Sequence, residues 1–122
     1  MKFTRDQVAP VTIREVERGS IRVGDERVTH SVVLTQEKMV ADWVPPDTES
    51  LSLEHVERLI RFEPEIVIVG SGWAQRRPPN EFVFALARQG IGLEVMDTGA
   101  ACRTFNILLA EGRRIVAFLT LD

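Results

Sequence analysis

The feature that most constrains the fold is a short run of β-branched residues, Ile-Val-Ile-Val at positions 66–69, between Pro64 and Gly70. A continuous apolar run of this length is typical of a strand buried on both faces, and such strands belong to parallel sheets. Parallel strands need long crossover connections, which are usually helices. The run therefore predicts alternating strands and helices in this part of the chain.

The following residues supply those elements. Apolar spacing and glycine stops predict a helix near residues 80–89, a strand over 93–96, a helix that Gly112 ends, and a strand over 115–121. Crossovers of this kind are right-handed, and ligands or partners meet such a sheet at the carboxyl ends of its strands. The C-terminal half is therefore predicted to be a parallel βαβαβ unit.

The N-terminal half has a different pattern. Loose alternation over residues 12–17 and 21–23 predicts an antiparallel meander, and residues 28–35 form a β-rich run. Residues 39–43 predict a further strand, and residues 1–11 an arm or a weak first strand. This half is therefore expected to be mostly antiparallel β structure.

Pro45 and Pro46 separate the two halves, since neither a strand nor a helix continues comfortably through them. In the next helix Ser52 can cap the first turn, and the helix ends before Pro64. At 122 residues the chain suits one domain. We predict a single domain, 1–122, of α/β (α+β) class, with a β-rich part (1–45) and an α/β part (50–122).

Composition excludes several function classes. A net charge of −3 and a pI near 5.4 give no electrostatic footprint for nucleic acid. The lone Cys102 excludes an internal disulfide, and His30 and His55 lack partners at metal-ligand spacing. No cofactor is indicated. The absence of a membrane-length apolar run or a targeting segment predicts a cytoplasmic protein that is not integral to the membrane.

The last helix is apolar nearly all round. Ala101, Phe105 and Leu108 lie on the side expected to face the sheet, whereas Ile107 lies on the opposite side. Such a helix is buried on both sides, either by the N-terminal strands in a three-layer fold or by a partner. Asn106 within it is expected to satisfy backbone groups of a neighbouring loop.

The turn at Gly70, Ser71 and Gly72 follows a strand as a nucleotide-binding loop does, but Gln75 stands where the third glycine is needed. We interpret these glycines chiefly as allowing a positive-φ turn, with a small-ligand or partner loop as the alternative.

Arg76 and Arg77 stand beside Trp73 in the same loop, and the first turn of the last helix should open on the same side. Together they could hold a carboxylate or a phosphate, but a solvated basic loop with Trp73 packed on its rim is the favoured interpretation. Cys102 near that helix start could be a reactive thiolate, but its alanine neighbours favour a buried structural cysteine.

Two stretches resemble a known family. The first stretch lies near the C-terminal end and comprises Gly92 to Thr98, Ala101 to Asn106, Leu108, and Glu111 to Arg113. The second runs from Pro64 to Gly72. The family comprises small proteins of unknown biochemical function, including mitochondrial respiratory complex I assembly factor three and the adipogenesis-associated domain protein. The resemblance implies a three-layer β+β/α fold with a mixed central sheet, and it carries over no catalytic residue. The absence of a transit segment indicates a bacterial cytosolic relative.

We therefore expect a non-enzymatic interaction or assembly protein that is linked to respiratory or membrane complexes and binds protein partners, as a monomer or weak homo-oligomer. The alternative is a small-molecule or anion site, or an enzyme, in the crevice between the turns at 70–72 and 97–99, with Cys102 as nucleophile. The predicted binding residues are Gly70, Ser71, Gly72, Trp73, Arg76, Arg77, Asp97, Thr98, Arg103 and Asn106.

Overall fold

A computed structural model describes residues 11–122. The arm or weak strand predicted over residues 1–11 lies, apart from Val11, outside the described residues. The strands are β1 Ile13–Glu17, β2 Ser20–Val23, β3 Glu26–Val28, β4 Val32–Thr35, β5 Ile66–Gly70, β6 Gly92–Met96 and β7 Ile115–Leu119. The helices are α1 Leu53–Leu59, α2 Asn80–Arg88 and α3 Thr98–Ala110, with single 3₁₀ turns at Thr48–Ser50 and Ile60–Phe62.

The strands form two sheets. β1, β2 and β3 make an antiparallel meander, and the central sheet has the order β4-β7-β5-β6. β5 is parallel to both β6 and β7, whereas β4 is antiparallel to β7. β7 is buried along its whole length because it lies between two other strands and is covered on both faces. The predicted fold class, with its mixed central sheet and its two different halves, is confirmed.

The core has two parts, one on each face of the central sheet. On one face α3 and the meander pack together around buried residues such as Phe105, Ile21 and Leu119. On the other face α1 and α2 pack with Trp43 and Phe82. The fold therefore has three layers. Helix α2 begins after a proline pair and buries Phe82, as its sequence pattern predicts.

The strand predicted over residues 39–43 is wrong. Only Met39 forms a bridge, to Leu34, and the chain then leaves the sheet. Trp43 turns into the core, where its ring meets that of Phe118 edge-on at 5.2 Å between centroids. The β-rich run at residues 28–35 also divides, since β3 and β4 belong to different sheets. The chain leaves the sheet here because the large indole of Trp43 packs in the core. The local alternation of apolar and polar residues does not predict such packing.

Helix α3 is covered on one flank by the meander. The side-chain amide of Asn106 donates to the carbonyl of Ile13 at 2.8 Å, and its oxygen accepts the Ile13 amide at 2.9 Å. Asn106 thus satisfies both backbone groups of Ile13, the first residue of β1, as a neighbouring strand would. Ile107, on the outer side of the helix, is 60% exposed. The meander thus covers α3 as the three-layer alternative predicts, but it leaves Ile107 open within this chain. Coverage of Ile107 by a partner stays a prediction.

Candidate functional site

The turns after β5 and β6 are joined through Thr98, the first residue of α3. Its buried hydroxyl accepts the Gly72 amide at 2.8 Å and donates to the Thr120 carbonyl. The Thr98 amide donates in turn to the Gly72 carbonyl at 2.8 Å. One residue therefore holds together the loop after β5, the start of α3 and the segment after β7.

Ser71 organises the loop from within. It is 1% exposed, and its amide donates to the Met96 carbonyl at 2.9 Å. Its hydroxyl oxygen lies 3.0 Å from the Ala74 carbonyl and accepts the Arg76 amide at 3.3 Å. These bonds satisfy backbone groups that a buried turn would otherwise leave unpaired. The loop is consequently held in one shape on its inner side.

The flanking glycines are required by space and backbone angle. A Cβ on Gly70 would lie 3.0 Å from both the Ala101 Cβ and the Thr98 Oγ1. Gly72 has a φ of +90°, and a Cβ there would lie 2.7 Å from the Asp122 carbonyl oxygen. Gly72 therefore cannot carry a side chain without strain, and a side chain at Gly70 would require its neighbours to shift. The positive φ of Gly72 agrees with the interpretation of a glycine turn.

The indole of Trp73 lies across the start of α3. A Cβ on Gly99 would lie 3.2 Å from the Trp73 ring, and the indole Nε1 donates to the Leu121 carbonyl at 3.4 Å. Trp73 is half-buried, whereas Ala74, Gln75, Arg76 and Arg77 are exposed. Trp73 and Ser71 thus fix the inner side of the loop, and its two arginines are exposed.

Arg76 is paired with a residue outside the two turns. Its guanidinium lies 3.2 Å from the Glu49 carboxylate, and both side chains are about half exposed. The first-turn amides of α3 are largely occupied, since Thr98 donates to Gly72 and Ala100 donates to the Asp97 carboxylate at 2.9 Å. Arg76 and most of the first-turn amides of α3 therefore have partners within the chain, and Arg77 is exposed.

A cavity of about 280 Å³ lies beside the loop, away from the turn at 97–99. Its lining combines two arginines with carboxylates, hydroxyls and the indole, and no residue of that turn contributes. The lining residues are Arg18, Asp47, Thr48, Ser71, Trp73, Ala74, Arg76, Thr120 and Asp122. The open space next to this loop thus faces the turn between β1 and β2 and the segment before α1.

Cys102 faces the core and is 1% exposed. Burial raises the pKa of its thiol from 9.0 to about 12, and the charge of the neighbouring Arg103 offsets only part of this effect. A nucleophilic cysteine needs a depressed pKa and access to solvent. The position suits the structural role that its alanine neighbours indicate.

The predicted site residues thus fall into three groups, which are a hydrogen-bonded base, the loop above it, and two residues of α3. Gly70, Ser71, Gly72, Asp97 and Thr98 form the hydrogen-bonded base, and Trp73, Arg76 and Arg77 form the loop that stands on it. Arg103 is exposed on α3, with its Nη1 3.7 Å from where a Gly99 Cβ would lie. Asn106 lies less than one turn beyond Arg103 on α3 and bonds the backbone of Ile13 in β1. Whether any of these residues binds a partner stays a prediction.

Several residues around the loop have no signal in the sequence. Arg18, Thr48 and Glu49 reach it from distant parts of the chain, and the Arg76–Glu49 pair spans 27 positions. No short motif links such positions, so only the fold shows that they meet. Thr48 is the most unusual of these residues, since it is 2% exposed whereas threonine is mostly exposed in proteins.

Within residues 11–122, no helix is both long and apolar enough to cross a membrane. The same residues contain no group of three histidine, cysteine or carboxylate side chains that could hold a metal ion.

Solved structures share this fold. A crystal structure of a Bordetella parapertussis protein is 35% identical, covers 96% of this chain and all of its own, and superposes with a TM-score of 0.83. A solution structure from Bordetella pertussis described as an Mth938-like domain is 29% identical, covers all of this chain and 93% of its own, and has a TM-score of 0.77.

Two kinds of curated relative match. A Francisella tularensis protein named 13 kDa major membrane protein is 29% identical over 88% of each chain. A Xenopus tropicalis protein named NADH dehydrogenase [ubiquinone] 1 alpha subcomplex assembly factor 3 is 35% identical over 82% of this chain and 54% of its own. The chain therefore spans about half the length of that assembly factor.

The family described as "Protein of unknown function (DUF498/DUF598)" matches residues 13–120. The family resemblance in the sequence is thereby confirmed, and this chain belongs to the DUF498/DUF598 family of proteins of unknown function.

Proposed function

We propose that this protein is a non-enzymatic interaction or assembly protein of the cytoplasm that binds subunits of a respiratory or other membrane complex. The names of its relatives support an assembly role. The burial of Cys102 weighs against the alternative that uses this thiol as a nucleophile. A monomer or weak homo-oligomer fits this role, because its binding surface is then free for a partner protein.

The observation that carries the proposal is the loop of residues 73–77. Its inner side is fixed by the Ser71 hydrogen bonds and the Trp73 packing, while Arg76 and Arg77 are exposed. A loop that is already ordered loses little conformational entropy when a partner binds. Arginine is enriched at protein interfaces because its planar guanidinium can bind carboxylates in a bidentate manner. The loop therefore suits a partner surface that carries carboxylates.

The test is an affinity pull-down from gently solubilised native cells, with quantitative mass spectrometry of the captured proteins. An Arg76→Ala/Arg77→Ala double variant is compared with wild type. Trp73 is left intact, since its removal would leave the Leu121 carbonyl unpaired and free the loop. We expect the double variant to lose subunits or assembly proteins of a membrane complex that wild type retains.

The matched control is Arg61→Ala/Arg88→Ala. Both arginines are exposed and precede β5 and β6, so they lie at the opposite end of the parallel strands. The control removes the same charge and should retain every partner. Equal capture by wild type and by the Arg76/Arg77 variant would overturn the loop assignment, and equal losses in both variants would show a general charge effect.

A further inference from the structure

The strand β6 forms one edge of the central sheet. Its pairing with β5 shows which backbone groups are used, because the Gly92 amide donates to the Glu65 carbonyl at 3.0 Å and the Met96 carbonyl accepts the Ser71 amide at 2.9 Å. In a parallel ladder alternate residues turn their backbone groups toward the same neighbour. Positions 92, 94 and 96 therefore face β5.

Leu93 and Val95 consequently turn their amides and carbonyls outward. No strand among residues 11–122 pairs with this edge. The five residues of β6 are exposed or half-buried, in contrast to the fully buried β7. An open edge of this length is a template for the addition of another strand.

Each of the other sheet edges in the described chain is covered in part or is short. Residues 38–40 fold over β4, where the Thr35 amide donates to the Lys38 carbonyl at 2.8 Å and the Val40 amide to the Val33 carbonyl at 2.9 Å. Asn106 occupies the edge of β1 at Ile13, and β3 has three residues. The edge of β6 is thus open along all five residues, whereas each other edge is covered in part or is short.

Glu94 determines which strand fits. It is exposed at the middle of β6, on the face that Met96 shares with α3, whereas Leu93 and Val95 face α1 and α2. Antiparallel self-pairing that uses both Leu93 and Val95 would place two copies of Glu94 directly opposite each other. Like charges at such a position are destabilising, whereas opposite charges are favourable.

We infer that the β6 edge binds an extended segment of a partner protein as a fifth strand of the central sheet, with a lysine or arginine opposite Glu94. Backbone bonds to Leu93 and Val95 would supply the pairing, and the cation would select the partner and its register. The β6 edge is separate from the loop of residues 73–77, so a test can overturn one binding surface and leave the other in place.

The probe is a blocked heptapeptide, acetyl-Thr-Thr-Val-Lys-Val-Thr-Thr-amide, titrated into the isotopically labelled chain. Amide exchange and chemical shifts are followed by NMR. We expect the amides of Leu93 and Val95 to become protected. The same peptide with glutamate in place of lysine should bind about tenfold more weakly, since an attractive pair becomes a repulsive one. In a Glu94→Lys variant the preference between the two peptides should invert.

Val95→Pro is the second test. Proline removes only an outward amide at this position, which an edge strand tolerates, and Val95→Ala controls for the lost side chain. We expect peptide binding to survive in the alanine variant and the Arg77→Ala variant, and to disappear in the proline variant.

Absence of protection at Leu93 and Val95, equal binding of both peptides, or full binding by the proline variant would overturn the inference. Protection that rises with protein concentration without peptide, and is lost in Val95→Pro, would overturn it in favour of a second copy.

Discussion

A single hydroxyl group, that of Thr98, connects the loop after β5, the start of α3 and the segment after β7. Thr98→Val has nearly the same shape but leaves the Gly72 amide and the Thr120 carbonyl without this partner. We expect it to lower the free energy of unfolding by about 1–3 kcal/mol, the cost of unsatisfied buried polar groups. Urea denaturation measures the change.

Thr98→Ser is the control, because it retains the hydroxyl and removes one methyl group, which costs about 1 kcal/mol. Faster exchange of the Gly72 amide should accompany the valine variant alone. If valine proves as stable as serine, the hydroxyl does not hold the loop.

Cys102 provides a second test at this scale. With a pKa of about 12 in place of 9.0, its thiolate fraction at neutral pH is roughly a thousandfold lower than that of an ordinary thiol. We expect iodoacetamide to leave the folded protein unmodified at pH 8 and to react promptly in urea. Rapid alkylation of the folded protein, with a rate that titrates below pH 9, would instead restore Cys102 as a nucleophile.

At the scale of elements, Asn106 takes the place of a strand beside β1. Asn106→Leu removes both of its bonds to Ile13 and leaves a part-buried amide and carbonyl unpaired. We expect a loss of about 1–3 kcal/mol in the free energy of unfolding, with faster amide exchange concentrated in β1.

Ile107→Ala, one position away and 60% exposed, should change the free energy of unfolding by less than about 0.5 kcal/mol. Denaturation and hydrogen exchange compare the two variants. Equal exchange of the Ile13 amide in Asn106→Leu and wild type would show that the meander is held by apolar packing alone.

The helices and the parallel strands were predictable because their signals are local. The polar Asn106 within an apolar helix correctly indicated bonds to backbone groups, but these groups belong to strand β1 and not to a loop. The strand predicted over residues 39–43 failed because the burial of Trp43 against Phe118 overrides local alternation. The Arg76–Glu49 pair was beyond prediction, since the fold alone brings together charges that lie 27 positions apart.

At the scale of the whole molecule, Glu65 ties the start of β5 to the start of β7. The Arg114 amide and then the Arg113 guanidinium, which donate to its carboxylate at 3.1 and 3.0 Å, lower its pKa below 4.5. A carboxylate with a lowered pKa stabilises the fold above its unfolded pKa, and this contribution is lost as pH falls through the folded pKa.

We therefore expect Glu65→Gln to be less stable than wild type at neutral pH and the difference to shrink below pH 4.5. Thermal unfolding of both proteins across this range measures it. Glu111→Gln is the control, since its carboxylate lies 3.9 Å from the Arg113 guanidinium and should contribute little. A difference that stays constant through the acid range would exclude the carboxylate as its source.

The position of β7 also bears on how the protein is made. β7 lies between β4 and β5, yet it follows both in the chain, and it pairs Val32 with Leu119, 87 positions apart. A ribosome therefore releases β4 and β5 well before the strand that joins them. Until β7 emerges, two apolar strands have unpaired edges, and such edges are prone to misassociation. The nascent chain should thus depend on chaperones most strongly just before its final strand is complete.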